Sequence, residues 1–170
     1  MMGSAEQINS DAAPAAPSFE EFFVAHRQEV YGAIWLVTRD RHEAEEITQE
    51  AFVKVLERWE HVASLDDPTG YVVRTAMNVW RSRARRAAVA LRKAVHSSSP
   101  DDPLERADSQ AVVVQALAVL TPRQRAAVVM TVLLGFTSEE AANALGVRPS
   151  TVRVLAARGR DRLRERMEEA

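Results

Sequence analysis

The sequence predicts an all-α protein: two small helical domains joined by a flexible linker, the C-terminal one containing a helix-turn-helix. Three observations predict this. Apolar residues recur at helical spacing along most of the chain, and no segment alternates as a strand does. Four Ser, Thr or Asp residues each stand three positions before a Glu or Gln at the head of an apolar run, the pattern of a helix capping box. Residues 95–109 are rich in Ser, Pro and Asp and poor in large apolar side chains, so they cannot bury enough surface to order themselves.

Residues 1–17, Ala, Pro and Ser among acids, read as a disordered tail. The first domain spans 18–94. Ser18 with Glu21 opens a helix whose apolar stripe is Phe19, Phe22, Phe23, Val30, Ile34 and Trp35 or Val37. Asp40 with Glu43 opens a second, striped by Ile47, Ala51, Val55 and Trp59. Asp67-Pro68 starts a third, in which Tyr71, Val72, Ala76, Val79 and Trp80 face inward; Trp80 reads as core rather than as a platform for a base. After the linker comes the second domain, 110–170. Thr121 with Gln124 caps a helix that has Pro122 at its first position, where a missing N–H costs nothing. Thr137 with Glu140 caps the next.

Composition narrows the function. Of 170 residues 46% are apolar and 27% charged, ordinary for a globular protein. There is no cysteine, which excludes a disulfide scaffold, a thiolate metal site and a cysteine nucleophile, and suits a reducing cytoplasm. Four scattered histidines lack metal-ligand spacing, and six glycines show no phosphate cradle. No enzymatic activity and no cofactor are expected. The N-terminus lacks the positive flank and apolar core of a signal peptide, and no apolar run is long enough to span a bilayer, so no membrane contact is expected.

The net charge of −2 hides a sharp asymmetry. Residues 1–67 hold fourteen acidic side chains and five basic ones. From Tyr71 to Pro100 the chain carries Arg74, Arg81, Arg83, Arg85, Arg86, Arg92 and Lys93 with no acid. A second basic cluster runs from Arg148 to Arg166, diluted only by Asp161 and Glu165. Two basic patches and one acidic block suggest two nucleic-acid contacts and a separate protein contact; arginines decorating solvated helix faces would be the plainer reading.

The segment TSEEAANALGVRPSTVRVLAARGRDRLRER carries the most specific pattern. Ala141 and Leu145 face inward on a short helix, Ala142 lets the helices approach, and Gly146 takes the left-handed conformation of the turn. Val147, Val152 and Leu155 continue the core. The second helix would present Arg148, Ser150, Thr151, Arg153, Val154, Ala157 and Arg158 to the major groove. Arginines can read guanine edges bidentately, and the rest of the row meets phosphates. A helical hairpin used for protein contact shares much of this layout, and a helix-turn-helix alone leaves many regulators open.

The N-terminal half decides between them. DRHEAEEITQEAFVKVLERWEHV followed by DPTGYVVRTAMNVWRSRARR resembles region 2 of bacterial sigma factors of the extracytoplasmic-function (ECF) group. ALAVLTPRQRAAVVMTVLLGFTSEEAANALGVRPSTVRVLAARGRDRLRERM resembles their region 4, so the resemblance covers residues 18–167 in family order. It implies a protein that binds core RNA polymerase and directs promoter recognition, DNA opening and transcription initiation. By the same resemblance Glu43, Glu46, Gln49, Glu50 and Lys54 would dock on the β′ clamp helices, with further contact to the β subunit. Arg74, Asn78, Arg81, Arg83, Arg85 and Arg86 would meet the −10 element. A flipped base would sit between this helix and the loop His61–Asp67, at an unstacking cost of a few kcal/mol. The helix-turn-helix would read the −35 element. Family members commonly have Ser where Arg148 stands, and polar or basic residues at Val154 and Leu155. A cap is therefore expected to be missing and base selection altered. In relatives the linker threads toward the polymerase active site; the acids Asp101, Asp102, Glu105 and Asp108 suit either that or plain flexibility. An anti-sigma factor is expected as a further partner. The chain ends at Ala170, soon after the recognition helix, so control by an appended domain is not expected. The competing readings are a helix-turn-helix regulator with an N-terminal sensing or dimerising domain, and a helical adaptor.

Overall fold

The computed structural model describes residues 17–93 and 109–168, with side chains over 17–90 and 113–168. The expected tail and linker, with Asp101, Asp102, Glu105 and Asp108, lie outside the described residues apart from Pro17 and Ser109 at their edges, as do the side chains of Arg92 and Lys93.

Among the described residues all regular structure is helical: α1 (Phe19–Thr38), α2 (Arg41–Leu56), α3 (Trp59–Ala63), α4 (Pro68–Lys93), α5 (Ser109–Ala116), α6 (Pro122–Val128), α7 (Ser138–Leu145) and α8 (Pro149–Glu168). A single 3₁₀ turn, Leu117–Val119, follows α5, and a π turn, Val129–Leu133, extends α6.

The caps form where the sequence places them. At α1 the Ser18 hydroxyl accepts the Glu21 N–H (3.2 Å) and the Glu21 carboxylate accepts the Ser18 N–H (2.9 Å). The same reciprocal pair closes α6 through Thr121 and Gln124, and α7 through Thr137 and Glu140. At α2 only half of the box forms. Asp40 accepts the Glu43 N–H at 2.8 Å, but its own N–H goes to the Thr38 hydroxyl at 3.2 Å, which leaves Glu43 free of that duty. Asp67 starts α4 by accepting the Gly70 N–H at 2.8 Å.

One predicted stripe is broken. Trp59 does not continue α2, which ends at Leu56; Arg58 leaves helical geometry at φ −129°. The indole instead packs on α1, its ring centre 5.5 Å from Phe19 and 4.9 Å from Phe22. Aromatic contacts of this kind add to ordinary burial, enough to favour the turn over a straight helix.

In the N-terminal half α2 and α4 pack against α1, burying Ile34, Ile47, Val55, Val72 and Met77. In the C-terminal half α8 crosses α6 closely. Gly159 makes the crossing possible, because a Cβ there would meet Val128. The two halves also touch, α1 against α6 and α4 against α7, and their buried side chains form one continuous core. Trp80 belongs to that core. No described helix is long and apolar enough to cross a membrane.

Candidate polymerase and promoter surfaces

The acidic block is a surface of α2. Glu46, Gln49 and Lys54 are exposed, and Glu43 and Glu50 are half-buried, on the side opposite buried Ile47, Ala51 and Val55. Its charges are ordered by one cation from another helix. Arg83 of α4 donates from Nη1 to Glu46 (2.7 Å) and from Nη2 to Glu50 (3.0 Å). Lys54 lies 3.7 Å from Glu50. Burial raises the Glu43 pKa above the ordinary carboxylate value, Asp40 adds to this, and Arg83 opposes it. A partial loss of hydration of this kind is relieved by an incoming cation. Beside this face α1 and α2 bound a groove of about 390 Å³ lined by Phe23, Arg27, Gln28, Tyr31, Glu45, Thr48 and Gln49.

Sequence reading missed two residues of this surface, Val53 and Leu56, which are 56% and 52% exposed on the same helix. Their signal was their position off the stripe of Ile47, Ala51 and Val55. Large apolar side chains on an otherwise polar face mark a contact surface more than a solvated one.

The α4 residues divide. Arg74, Asn78, Arg81 and Arg85 share one side of the helix, as their spacing of three and four requires. Asn78, Arg85 and Arg86 are exposed. Arg74 is turned toward the C-terminal half: Nη1 lies 3.6 Å from Glu140 and 3.8 Å from Asp67, and its guanidinium stands over the Phe136 ring at 5.6 Å. Arg81 packs directly against Gly146. Arg83 lies away from this row and belongs to the acidic face.

The helix-turn-helix is α7, a turn and α8. Ala141, Ala142, Leu145 and Val152 are buried, and Val147 and Leu155 pack partly buried against them. Gly146 ends α7 at φ 63° and ψ 41°, a left-handed position that a side chain would strain. Arg148, just before α8, and Ser150, Thr151, Arg153, Val154 and Arg158 on it are exposed, and Ala157 is half-buried. Arg153 rests 3.4 Å from Glu139 of α7. The Arg148 carbonyl accepts the N–H groups of Thr151 (2.9 Å) and Val152 (3.2 Å), while its cationic side chain has no acceptor with which to cap. Among the described residues no group of three or more His, Asp or Glu could hold a metal ion.

An all-α chain with an acidic helix, a basic helix and a helix-turn-helix in that order defines a two-domain transcription factor. Comparison with known proteins gives the family. Sigma-70 region 2 matches residues 22–89, and Sigma-70 region 4 matches residues 110–163. The chain is 30% identical to the RNA polymerase sigma-E factor of Streptomyces antibioticus over 133 residues, 76% of this chain and 73% of that protein. It is 29% identical to the sigma-E factor of Streptomyces avermitilis over 154 residues, 88% of this chain and 85% of that one. In fold it resembles the sigma factor RpoE of Bartonella quintana, solved with the anti-sigma factor NepR: TM-score 0.68, 19% identity, 88% of this chain and 96% of that chain.

The protein belongs to the ECF group of RNA polymerase sigma factors and directs transcription initiation with RNA polymerase. That membership sets aside the regulator with a sensing domain and the adaptor, and makes the chain a specificity subunit rather than an enzyme.

Proposed function

We propose that the work is divided among three surfaces. Glu43, Glu46, Gln49, Glu50 and Lys54, with exposed Val53 and Leu56 at their flank, grip the β′ clamp helices of core polymerase. Arg74, Asn78, Arg81, Arg85 and Arg86 take the −10 element, Asn78 bonding a flipped base through its amide and the guanidiniums holding phosphates. Arg83 is committed to Glu46 and Glu50, so we assign it to ordering the acidic face instead. Arg148, Ser150, Thr151, Arg153, Val154, Ala157 and Arg158 enter the −35 major groove. Region 2 then spans 18–94 and region 4 spans 110–170. The C-terminal half meets the β subunit. Work with polymerase on the chromosome places the protein in the cytoplasm. An anti-sigma factor that covers these surfaces would hold it inactive, as the partner in the Bartonella complex suggests.

The observation that carries this reading is the segregation of charge: α2 offers carboxylates, while the exposed sides of α4 and α8 offer guanidiniums. Run-off transcription with purified core enzyme tests it. Glu46→Lys with Glu50→Lys is expected to abolish co-purification with core and all transcripts. Arg153→Ala is expected to keep core binding and relax selection at one upstream base pair, by roughly 1–3 kcal/mol. Normal core binding by the doubly reversed variant would remove the α2 assignment.

A further inference from the structure

α8 turns a large apolar side chain outward in the stretch where a recognition helix meets bases. Val152, Ala156 and Gly159 are its buried residues and mark the side that rests on the remainder of the domain. At about 100° per residue, Val154 and Ser150 stand almost opposite that side. Val154 is 49% exposed. Ser150, Thr151, Ala157 and Arg158 lie within one turn of it on the same face.

The charges sort themselves around this residue. Arg153 and Arg158 leave the helix on either side of Val154, and Arg153 rests against Glu139 of α7 at 3.4 Å. Asp161 lies on the same outward line about two turns further on, 3.3 Å from Arg164, and exposed Glu165 follows it. Phosphates repel carboxylates, so only the first turns of α8 can sink into a groove. Val154 is then at the middle of the inserted part. Guanidiniums flank it, and the short side chains of Ser150 and Ala157 before and after it allow close approach to the groove floor.

We propose that Val154 reads the C5-methyl group of one thymine in the upstream promoter element. The inference rests on the −35 assignment of α8 above and names a chemical group that the helix recognises. An isopropyl group neither donates nor accepts a hydrogen bond, so it reads nothing from the polar edges of the bases. The thymine methyl is the apolar group that the major groove offers it. Over another base the same isopropyl would displace water from a donor or an acceptor without replacing the lost bond, which penalises that base. Val154 thus attracts one base and disfavours the others. A β-branched side chain holds a single χ1 rotamer in a helix, so the group is presented with little freedom left to lose on binding.

Deoxyuridine isolates the methyl, because it pairs and hydrogen-bonds as thymine does and lacks only that group. The test uses holoenzyme assembled from purified core and the full chain, on a promoter identified by run-off transcription. Each thymine of the upstream element, on both strands, is replaced by deoxyuridine in turn, and promoter affinity is measured by competition. One replacement is expected to weaken binding about fourfold, the loss of one buried methyl, and the others to change it little. In Val154→Ala that replacement is expected to make no difference. With cytosine placed at the same position, methylation of its C5 is expected to improve binding by the wild type and not by the variant. Alanine favours a helix at least as well as valine, and the exposed site leaves no cavity, so the variant keeps its fold, as helical circular dichroism will show. A flat scan in the wild type, or a deoxyuridine effect that survives in Val154→Ala, would overturn the proposal. If scrambling the whole upstream element costs affinity while the scan is flat, the −35 assignment stands and the thymine contact falls. If scrambling also costs nothing, both fall.

Discussion

Asn78 is an amide in a row of guanidiniums, and that difference is the ground for the separate role proposed for it. Arg74, Arg81 and Arg85 can satisfy only acceptors, whereas an amide donates and accepts and so can match a base edge. Asn78 is exposed, and no ion pair or hydrogen bond within the described chain holds its side chain. Asn78→Ala is expected to slow open-complex formation roughly tenfold on duplex promoters, the equivalent of about 1.4 kcal/mol. On templates already melted at the −10 element the loss should be small. Equal loss on both templates, measured side by side, would take Asn78 out of the melting step. At this scale the layout of the candidate site was legible: the residue types, and the three-and-four spacing that puts Arg74, Asn78, Arg81 and Arg85 on one side. Arg83 was legible too, though only by angle. It stands about two and a half turns past Arg74 and therefore faces the other way, toward α2. Counting arginines hid this; placing them on the helix reveals it. Val53 and Leu56 needed the same step.

At the scale of elements the caps were the most readable part of the sequence, because a cap is a local bond between residues three apart. The Thr137–Glu140 box at the head of α7 shows what such a cap contributes. The Glu140 carboxylate accepts from the Thr137 N–H (2.8 Å) and hydroxyl (2.9 Å), and these bonds, with help from Arg74, hold its pKa below the ordinary 4.5. A carboxyl whose pKa is lowered by folding adds stability that is complete above its ordinary value and is lost as pH falls through the lowered one. Thr137→Ala is therefore expected to cost about 1 kcal/mol near neutrality. The melting temperatures of variant and wild type should converge as the buffer is taken below pH 4.5, into the range where Glu140 protonates. A gap that stays constant through that range would assign the loss to the threonine alone. The break between α2 and α3 was not readable in this way. Nothing local stops a helix at Glu57; Trp59 is drawn off by Phe19 and Phe22, some forty residues earlier, and a periodic stripe carries no record of so distant a contact.

At the scale of the whole molecule the order of the two domains was plain in the sequence, and their packing was not. Arg125 reads as an ordinary basic residue in the first turns of a helix; only the fold brings it under the Val37 carbonyl. Charge segregation, by contrast, was visible along the chain, and it governs how the complete chain meets DNA. The acidic surface of α2 repels a duplex, neither basic surface is large, and Arg74 and Arg81 lie against Glu140 and Gly146 of the C-terminal half. The isolated protein should therefore bind promoter DNA only weakly at physiological salt, within the micromolar-or-weaker range typical of nonspecific contacts, about 10⁻⁴ to 10⁻⁶ M. On the proposed assignment core polymerase covers the α2 carboxylates and fixes the distance between the two basic surfaces. Two weak contacts then act as one bivalent contact, whose gain comes from effective concentration rather than from any new bond. Titration of a labelled promoter fragment with the free factor, and then with factor plus core, is expected to show a gain of at least a hundredfold in affinity. The gain should shrink when either promoter element is scrambled, since one remaining contact has nothing to be linked to. Tight, sequence-selective binding by the isolated chain would mean that the charge of α2 does not restrain it.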